Sequence, residues 1–219
     1  MCGRFASFTP PALMRDMFRA ANPLVNLAPR YNIAPTQDIL ALRLDPAGGG
    51  RWLGLLRWGL IPFWSKDPAP GTGLINARAE TLAEKPSFRD AFRRRRCLIP
   101  ADAFYEWKQG GKPKQPYAIR RRDGGVMAFA GLWDRWQPAA GRPVESCAIV
   151  TTRANGVLAP LHDRMPVIID PDDFALWLGE EDPGRLGGLL APAGETVLEA
   201  YPVGPAVNSP RNEGSALLA

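Results

Sequence analysis

The 219-residue chain has few of the side chains that build metal sites or disulfide frameworks. Its three cysteines are widely separated, at Cys2, Cys97 and Cys147, and no two of them form a Cys-x-x-Cys pair. An odd number of separated cysteines is typical of a protein kept in a reducing compartment. The chain has a single histidine, His162, which argues against a zinc site. We therefore expect no zinc site and a cytoplasmic or nucleoid-associated location.

The chain also lacks a long apolar run. No stretch approaches the ~18 apolar residues that a membrane-spanning helix requires, and the first residues do not form a charged segment followed by an apolar one. We therefore expect no membrane association and no secretion signal. Basic residues exceed acidic ones, 27 Lys and Arg against 22 Asp and Glu, for a net charge of +5. This excess favours a polyanionic partner without identifying one.

Short segments rich in β-branched and aromatic residues, separated by turn residues, predict that strands dominate the fold. Asp38–Leu44 and Arg51–Leu60 flank the turn cluster DPAGGG and are predicted to form two strands. Two segments within Ala103–Arg122 predict a hairpin, and VMAFAGLW predicts the next strand. Further strands are predicted at Ser146–Thr152 and Pro166–Asp170.

Three segments are predicted to be helical. The first, TPPALMRDMFRAA, places Thr9 as a cap ahead of proline and spaces apolar residues along one face. The second, TLAEKPSFRDAFRRR, opens with Thr81 and Glu84 as a capping box and runs into the basic stretch Arg93–Arg96. The third is the short segment PDDFALWLG. Basic residues at a helix end offset the helix dipole, so Arg93–Arg96 is weak evidence for nucleic-acid binding.

The sequence shows no domain boundary. Its 23 prolines and 22 glycines are scattered, and the chain contains no repeat and no low-complexity tract. The predicted strands extend to about Tyr201. We expect a mixed α/β (α+β) fold, one domain over residues 1–219, built on a curled and mostly antiparallel sheet.

The opening stretch MCGRF places a cysteine directly after Met1. If Met1 is removed, Cys2 carries an α-amine and a thiol on adjacent carbons, with reference pKa values of ~7.7–8.0 and ~8.5. The amine can condense with an aldehyde to a Schiff base, and the thiol can then close a five-membered thiazolidine. One biological aldehyde that requires a protein trap is the ring-opened sugar left when DNA loses a base. The alternative is that Cys2 is a small buried apolar residue.

Two other segments carry candidate polar groups. In LINARAET, Asn76 and Arg78 alternate with apolar residues, so both face one side, where they suit a sugar and a phosphate. The alternative is an exposed strand edge. In AFYEWK, Glu106 faces away from Tyr105 and Trp107, and a desolvated carboxylate there has a raised pKa suited to proton transfer. The alternative is an exposed glutamate on a strand whose aromatic face is core.

His162 lies in a loop between Pro160 and Pro166, beside Asp163 and Arg164. This setting favours an oriented acid–base group, although a lone histidine is more often structural.

Aromatic residues are candidates for stacking on unpaired bases, and basic residues for contacting phosphates. Trp58, Trp64 and Trp107 are the aromatic candidates, and Arg93–Arg96 is the basic one. Tryptophans are more often core residues, and charge runs are more often solvated surfaces.

Nine motifs in order identify a family. They are MCGRF, RYNIAPTQ, RWGLIPFW, LINARAET, CLIPADAFYEW, FAGLWD, IVTTRAN, LHDRMPVII and VNSPRNEG. Together they closely resemble the SOS response-associated peptidase (SRAP) family, also called abasic site processing proteins, from Cys2 to about Gly214. The resemblance implies a single domain with a β-barrel-like sheet and flanking helices. It also implies that Met1 is removed, by the protein's own activity or by an aminopeptidase.

The resemblance further implies a function in the response to DNA damage. Cys2 would form a thiazolidine crosslink with the abasic sugar in single-stranded DNA and so shield the lesion. The implied activities are peptidase-like removal of Met1 and lyase-type Schiff-base chemistry, without a cofactor or metal. The implied partner is single-stranded DNA containing abasic sites, and we expect a monomer in the cytoplasm, associated with the nucleoid.

Residue roles follow from the same resemblance. Cys2 matches the nucleophile and Asn76 the amide that holds it and the sugar. Glu106 matches a group that assists sugar ring-opening and Schiff-base formation, and His162 one that serves proton transfer or reversal. The residues on the DNA side are three phosphate-contacting arginines, an aromatic at the cleft and two residues of the site wall, namely Arg4, Arg78, Arg164, Trp64, Thr151 and Pro35.

Two other functions fit parts of the sequence. N-terminal-nucleophile glutamine amidotransferases also begin Met-Cys-Gly, but in this chain Arg4 stands where an apolar strand usually follows, and no synthase or isomerase domain follows. A non-covalent single-strand binder would use the arginines and tryptophans alone, with Cys2 structural.

Overall fold

The structure is a computed structural model that describes residues 2–23, 26–66, 73–111 and 113–219. Within these residues, strands and short helices alternate along the chain. The strands are β1 (Phe5–Ser7), β2 (Arg30–Ile33), β3 (Asp38–Leu44), β4 (Arg51–Trp58), β5 (Asn76–Arg78), β6 (Arg96–Ala101), β7 (Ala103–Trp107), β8 (Pro116–Arg121), β9 (Met127–Trp136), β10 (Val144–Arg153), β11 (Arg164–Pro166) and β12 (Leu198–Pro202). The α-helices are α1 (Pro11–Phe18), α2 (Arg89–Arg94) and α3 (Phe174–Leu178). Short 3₁₀ turns lie at Ala79–Thr81, Pro171–Asp173, Pro183–Leu190, Pro205–Asn208 and Ser215–Leu218.

Five of the strands close into a barrel. β3 pairs with β4 and β6, β6 pairs with β9, and β9 pairs with β10, all antiparallel. β10 then returns to β4 in parallel through only two residue pairs, Ser146 with Arg57 and Cys147 with Trp58. Closure leaves the barrel strands without a free edge, and the expected mixed α+β fold with a curled, mostly antiparallel sheet is confirmed.

A second antiparallel sheet, in the order β12-β8-β7-β1-β2, lies beside the barrel. The β7–β8 hairpin places Glu106 opposite Tyr117. β1 pairs with β7, with Phe5 opposite Phe104, so the start of the chain lies inside this sheet instead of at its edge. The sheet order therefore brings Cys2, next to β1, close to the strand that carries Glu106.

One apolar cluster joins the barrel to the start of the chain. It includes Cys2, Phe5, Trp58 and Phe129, all at most 1% exposed. The Phe5 ring meets Trp58 and Phe129 edge to face, with centroids 5.2 and 6.2 Å apart. Burial of one such ring stabilises the fold by roughly 2–3 kcal/mol, which anchors the backbone of Cys2.

A second cluster lies on the outer face of the barrel, where helices cover the strands. Met14 and Phe18 of α1 and Trp177 of α3 are at most 1% exposed. The rings of Phe18 and Phe174 stack with centroids 5.2 Å apart. The apolar face predicted for the first helix is therefore confirmed only for Met14 and Phe18, because Leu13 and Met17 are 60% and 38% exposed.

Most of the predicted strands are confirmed. β3 has the predicted bounds, β4 occupies Arg51–Trp58 of the predicted Arg51–Leu60, and the β7–β8 hairpin forms as expected. The strand predicted at Pro166–Asp170 is wrong in extent, because β11 ends at Pro166 and only an isolated bridge joins Ile168 to Phe129.

Both predicted helix caps are wrong. Residue Pro10 precedes α1, while the Thr9 hydroxyl donates to Asp102 instead, and Asp102 also accepts the backbone N–H of Thr9 at 2.9 Å. The predicted second helix does not start at Thr81.

The reason for the late second helix is Pro86. Residues 79–81 form a 3₁₀ turn and α2 begins only at Arg89. Proline lacks an N–H and restricts the residue before it to extended conformations, so the chain between the two elements is a series of turns. Arg93 and Arg94 do end α2, as expected.

Candidate active site

Cys2 is fully buried where the barrel meets the second sheet. The side-chain Nδ2 of Asn76 donates to the carbonyl oxygen of Cys2 at 2.8 Å. Burial raises the pKa of the Cys2 thiol well above its ordinary value and the negative charge of Glu106 raises it further, whereas the backbone N–H of Arg4 lowers it. The thiol is therefore protonated at neutral pH and needs a base before it can react.

The strand β5 positions Asn76. It pairs in parallel with β10, with Asn76 opposite Ile149 and Arg78 opposite Thr151. Asn76 is half-buried while Arg78 is exposed, with buried Ala77 between them. The buried Oδ1 of Asn76 has no hydrogen-bond partner among the described residues. A buried amide oxygen without a partner is a site where a ligand can donate a hydrogen bond.

Glu106 lies in the middle of β7 and is only 4% exposed, so the alternative of an exposed glutamate is wrong. Burial raises the pKa of Glu106 above the ordinary glutamate value, and the positive charge of His162 acts in the opposite direction. A carboxyl group with a raised pKa keeps its proton at higher pH and can serve as a general acid. Tyr105 and Trp107 pack on the other face of the strand, as expected.

His162 lies in the loop between β10 and β11 and is half-buried. Its Nδ1 is 3.0 Å from the backbone N–H of Arg164 and 2.8 Å from Oδ1 of Asp163. A neutral ring can accept the Arg164 N–H at Nδ1, whereas a protonated ring can donate to Asp163. The imidazole thus has a partner in each protonation state, which suits a proton-transfer group.

Arg164 is held by a carboxylate that the sequence did not single out. Its Nη1 and Nη2 donate to the two oxygens of Glu80 at 2.6 and 2.9 Å, and Nη2 also donates to the carbonyl of Thr151 at 2.5 Å. The ion pair lowers the pKa of Glu80. Thr151 is fully buried at the point where β5 and β11 both pair with β10. Arg164 therefore lies next to the predicted site, with its charge directed by Glu80.

Arg4 is hydrogen-bonded to the C-terminal segment of the chain. Its Nη1 donates to Oδ1 of Asn32 at 2.8 Å and to the carbonyl of Val207 at 2.9 Å. Asn32, which is fully buried, donates in turn to the carbonyls of Ser209 and Asn212 at 2.9 and 3.0 Å. The Nε of Arg4 is buried without a partner among the described residues. The Nη1 of Arg4 thus has a structural role, and its Nε can donate to a ligand.

Pro35 begins the turn between β2 and β3. Its neighbour Thr36 has φ of 74°, in the left-handed region that a β-branched residue rarely adopts. The N–H of Thr36 donates to the carbonyl of Trp58 at 2.8 Å, which holds the turn beside the cluster that contains Cys2. Strained backbone of this kind is concentrated at functional sites.

The aromatic and basic candidates separate into structural and exposed residues. Trp58 is fully buried and donates its Nε1–H to the carbonyl of Ile75 at 3.0 Å, so it cannot stack on a base. Arg96 is buried and donates to the carbonyl of Phe92 at 2.7 Å, which makes it structural. Trp64 is 53% exposed and lies on the segment after β4, outside the group around Cys2.

Glu80 and Asn32 hold candidate site residues but were not predicted from the sequence. Both lie within motifs that carried the family resemblance, LINARAET and RYNIAPTQ. Their partners are Arg164, 84 residues away, and Arg4, 28 residues away. Local periodicity cannot show contacts at such separations.

The described residues include no group of three or more His, Cys, Asp or Glu side chains that could hold a metal ion. Across the same residues, no helix is long and apolar enough to cross a membrane.

The protein is thus a barrel that buries the cysteine at position 2 beside the amide of Asn76 and the buried carboxyl group of Glu106. Comparison with known proteins places it more closely: residues 1–210 match the model of the SOS response associated peptidase (SRAP) family. The chain belongs to this family.

Relatives extend over the whole chain. It is 44% identical to the abasic site processing protein YoqW of Bacillus subtilis, covering 100% of this chain and 99% of the relative. It is 31% identical to YedK of Escherichia coli, also named an abasic site processing protein, at 100% and 99% coverage. A crystal structure of a protein from Bacteroides thetaiotaomicron superposes with a TM-score of 0.88 at 25% identity, covering 99% of this chain and 98% of that one.

Proposed function

We propose that the chain is an abasic site processing protein that forms a covalent crosslink between Cys2 and the ring-opened abasic sugar in single-stranded DNA. The observation that carries the proposal is the group around Cys2. Asn76 donates to the Cys2 carbonyl, the charge of Glu106 acts on the thiol, and the charge of His162 acts on Glu106. The family and the names of its relatives supply the substrate class.

Removal of Met1 is the first step. In the intact chain the nitrogen of Cys2 belongs to the Met1–Cys2 peptide bond and is not a nucleophile. Hydrolysis of that bond, by the protein itself or by an aminopeptidase, gives a free α-amine next to the thiol.

The crosslink then forms in two steps. The amine of Cys2 attacks the aldehyde carbon, a C–N bond forms, and the carbonyl oxygen leaves as water to give the Schiff base. The thiol sulfur then adds to the same carbon, its proton passes to the nitrogen, and the thiazolidine ring closes with the overall loss of one water. Because the two nucleophiles are joined by two carbons, the second attack is intramolecular and fast.

Glu106 and His162 move the protons. A protonated Glu106 donates to the sugar ring oxygen as the ring opens, and to the hydroxyl that leaves as water. Its carboxylate can then take the thiol proton, because it lies close enough to raise the pKa of that thiol. His162 is the second proton-transfer group and would serve exchange or reversal.

The remaining predicted residues would hold the DNA. Arg4, Arg78 and Arg164 would contact phosphates through charge-assisted hydrogen bonds. Trp64, which is 53% exposed, would stack on an unpaired base, and this supports single-stranded DNA as the substrate. Pro35 and Thr151 would shape the wall around the sugar.

The test mixes the purified protein with a single-stranded oligonucleotide that contains one abasic site, followed by denaturing electrophoresis and intact-mass measurement. The wild-type protein should give a detergent-resistant band whose mass equals protein without Met1, plus DNA, minus one water. Cys2→Ala should give no such band, and a tag that retains Met1 should also abolish it.

Cys97→Ala is the matched control. Cys97 is likewise fully buried, and loss of its sulfur should lower the free energy of unfolding by about 1 kcal/mol. Crosslinking by this variant should equal that of the wild type. A crosslink that persists in Cys2→Ala would contradict the proposal. Glutamine hydrolysis without any DNA adduct would support an amidotransferase instead.

A further inference from the structure

An open groove of about 460 Å³ follows the outer wall of the barrel. It is lined by Arg57 on β4, by Arg135 on β9, and by Arg142 in the turn that leads into β10. Leu55, 43% exposed, also lines it. None of these residues belongs to the group around Cys2.

The groove exists because β4 and β10, the two strands that close the barrel, pair over only a short length. β4 and β10 pair only at Ser146–Arg57 and Cys147–Trp58. Before these pairs, β4 stays with β3 and β10 stays with β9, so the two strands part and leave a cleft between Leu55 and Glu145. The opening is thus a consequence of strand pairing and is built into the backbone.

The three guanidinium groups are not neutralised within the protein. In the part of the chain that the structure describes, Arg57, Arg135 and Arg142 take part in no ion pair and no side-chain hydrogen bond. Of the two carboxylates that line the groove, Glu145 is bound by Arg43 at 2.6 Å. Asp38 is the one carboxylate left facing three arginines. The groove therefore presents net positive charge to solvent.

We propose that this groove is a second phosphate-binding surface, which holds the DNA strand on one side of the lesion. The inference rests on the proposed function, because it assigns the groove to the same DNA. Six residue steps along β10 lead from Glu145, which lines the groove, to Thr151, at the proposed site, a distance of about 20 Å at ~3.3 Å per residue. This length corresponds to about six steps of a stacked DNA strand at the B-form rise of ~3.4 Å, and to fewer nucleotides of an extended single strand.

The segment after β4 is hydrogen-bonded to the strand that carries Arg135. The N–H of Phe63 donates to Asp134 at 3.0 Å, and the Nε1–H of Trp136 donates to the carbonyl of Ser65 at 2.7 Å. These bonds place the exposed rings of Phe63 and Trp64 next to the β9 strand that carries Arg135. A strand of DNA leaving the site would meet aromatic surface and then the arginines, a combination suited to single strands.

The charge pattern favours DNA over a peptide. Strands that part at a seam could also accept an extended peptide through backbone hydrogen bonds. Such a peptide would require an apolar or mixed lining, whereas three unpaired arginines match the regularly spaced charges of a phosphate backbone.

The experiment measures reversible binding of intact oligonucleotides without an abasic site, so it does not depend on Cys2 chemistry. The variant Arg57→Gln/Arg135→Gln/Arg142→Gln is compared with Arg19→Gln/Arg93→Gln/Arg185→Gln, which removes three exposed arginines outside the groove. Both variants lose the same net charge. Affinity for a 20-nucleotide and a 4-nucleotide single strand is measured by fluorescence anisotropy over a salt series.

For the 20-nucleotide strand, the groove variant should lower the slope of log affinity against log salt by about 2, since each lost phosphate contact contributes ~0.7. At 0.1 M salt, the groove variant should lose up to about 100-fold in affinity for the same strand. The 4-nucleotide strand can occupy only one of the two surfaces at a time, so the groove variant should lose less affinity for it than for the 20-nucleotide strand. Crosslinking at saturating abasic DNA should equal that of the wild type.

Equal slopes for the two triple variants would overturn the inference and leave the proposed function intact. An unchanged DNA slope together with lost binding of a poly-glutamate peptide would assign the groove to a protein partner and also overturn it. Because the salt series uses DNA without an abasic site, the crosslinking result for Cys2→Ala does not affect the test of the groove.

Discussion

Two arginine–glutamate pairs lie at opposite ends of β10 and have different surroundings. At the start of β10, Arg43 donates to Glu145 at 3.1 and 2.6 Å and its guanidinium lies 4.1 Å from the ring centroid of Trp133. At the end of β10, next to the proposed reactive site, Arg164 donates to Glu80 at 2.6 and 2.9 Å. Both arginine side chains are 12% exposed, whereas Glu145 is 28% and Glu80 is 51% exposed.

The difference lies in the polar atoms left over. Among the described residues, no buried atom of Arg43 or Glu145 lacks a partner, but the Nε of Arg164, the Nε of Arg4 and the Oδ1 of Asn76 do. A buried polar atom without a partner costs about 1–3 kcal/mol. The Arg43–Glu145 pair is therefore satisfied within the protein, while the end of β10 next to the proposed reactive site keeps polar atoms whose cost a bound ligand would offset.

The largest expected effect is that of Glu106→Gln on the reaction. Replacing the general acid should slow crosslinking by roughly 10²- to 10⁴-fold, with little change in affinity for intact DNA. The descending limb of the wild-type pH–rate profile, where Glu106 loses its proton, should be absent in the variant. Single-turnover crosslinking from pH 5 to 9 measures both, and equal losses of rate and affinity would contradict the assigned role.

The same substitution should stabilise the fold. Because the folded pKa of Glu106 is raised by burial, the folded state binds its proton more tightly than the unfolded state does. Stability conferred by this group therefore falls as pH rises from the unfolded pKa of ~4.3 through the folded pKa. Glu106→Gln should be more stable than wild type at pH 7–8, with the difference vanishing near pH 4. Thermal unfolding at several pH values measures the trend, and a variant less stable at pH 8 than at pH 4 relative to wild type would contradict it.

The second effect compares the two ion pairs directly. Arg43→Met leaves Glu145 without its cation and removes the contact with Trp133, at a cost of about 2–3 kcal/mol in the free energy of unfolding. Arg164→Met should cost about 1 kcal/mol, because Glu80 is half-exposed and remains hydrated. Urea unfolding separates the two variants.

Function should show the opposite order. Arg164→Met should weaken binding of abasic DNA about tenfold, while Arg43→Met should leave crosslinking at wild-type level below its melting temperature. A similar functional loss in both variants would remove the distinction between the two ends.

The third comparison is between two asparagines, Asn22, which is buried, and Asn76, which is half-buried. Asn22 is satisfied on both sides, with its Oδ1 accepting the Leu53 N–H and its Nδ2 donating to the Leu53 carbonyl, both at 2.8 Å. Asn22→Ala should cost about 2 kcal/mol of stability and no activity. Asn76→Ala removes one bond and one unpartnered oxygen, so its stability should change by less than about 1 kcal/mol, while crosslinking should fall about tenfold. Melting temperatures and crosslinking rates of the two variants test this, and a destabilised but active Asn76→Ala would contradict it.

Local patterns predicted much of the fold and part of the site. The strand pair at Asp38–Leu44 and Arg51–Trp58 was predictable because turn residues separate two runs of strand-forming side chains. The alternation around Glu106 was predictable because successive side chains of a strand point to opposite faces. The caps at Thr9 and Thr81 were not, because Asp102 competes for the Thr9 hydroxyl and Pro86 interrupts the helix.

The sequence by itself determined that a cysteine stands second, that strands dominate, and that Glu106 and its aromatic neighbours face opposite ways, because these depend only on chain order and on the two-residue period of a strand. Only the tertiary structure decided that Glu106 is buried, that Asn76 reaches the Cys2 carbonyl and that Glu80 holds Arg164. The Asn76–Cys2 contact spans 74 positions of the chain, and the Glu80–Arg164 contact spans 84. They depend on how β5, β7 and β10 pair, and strand pairing is settled by the packing of the whole core.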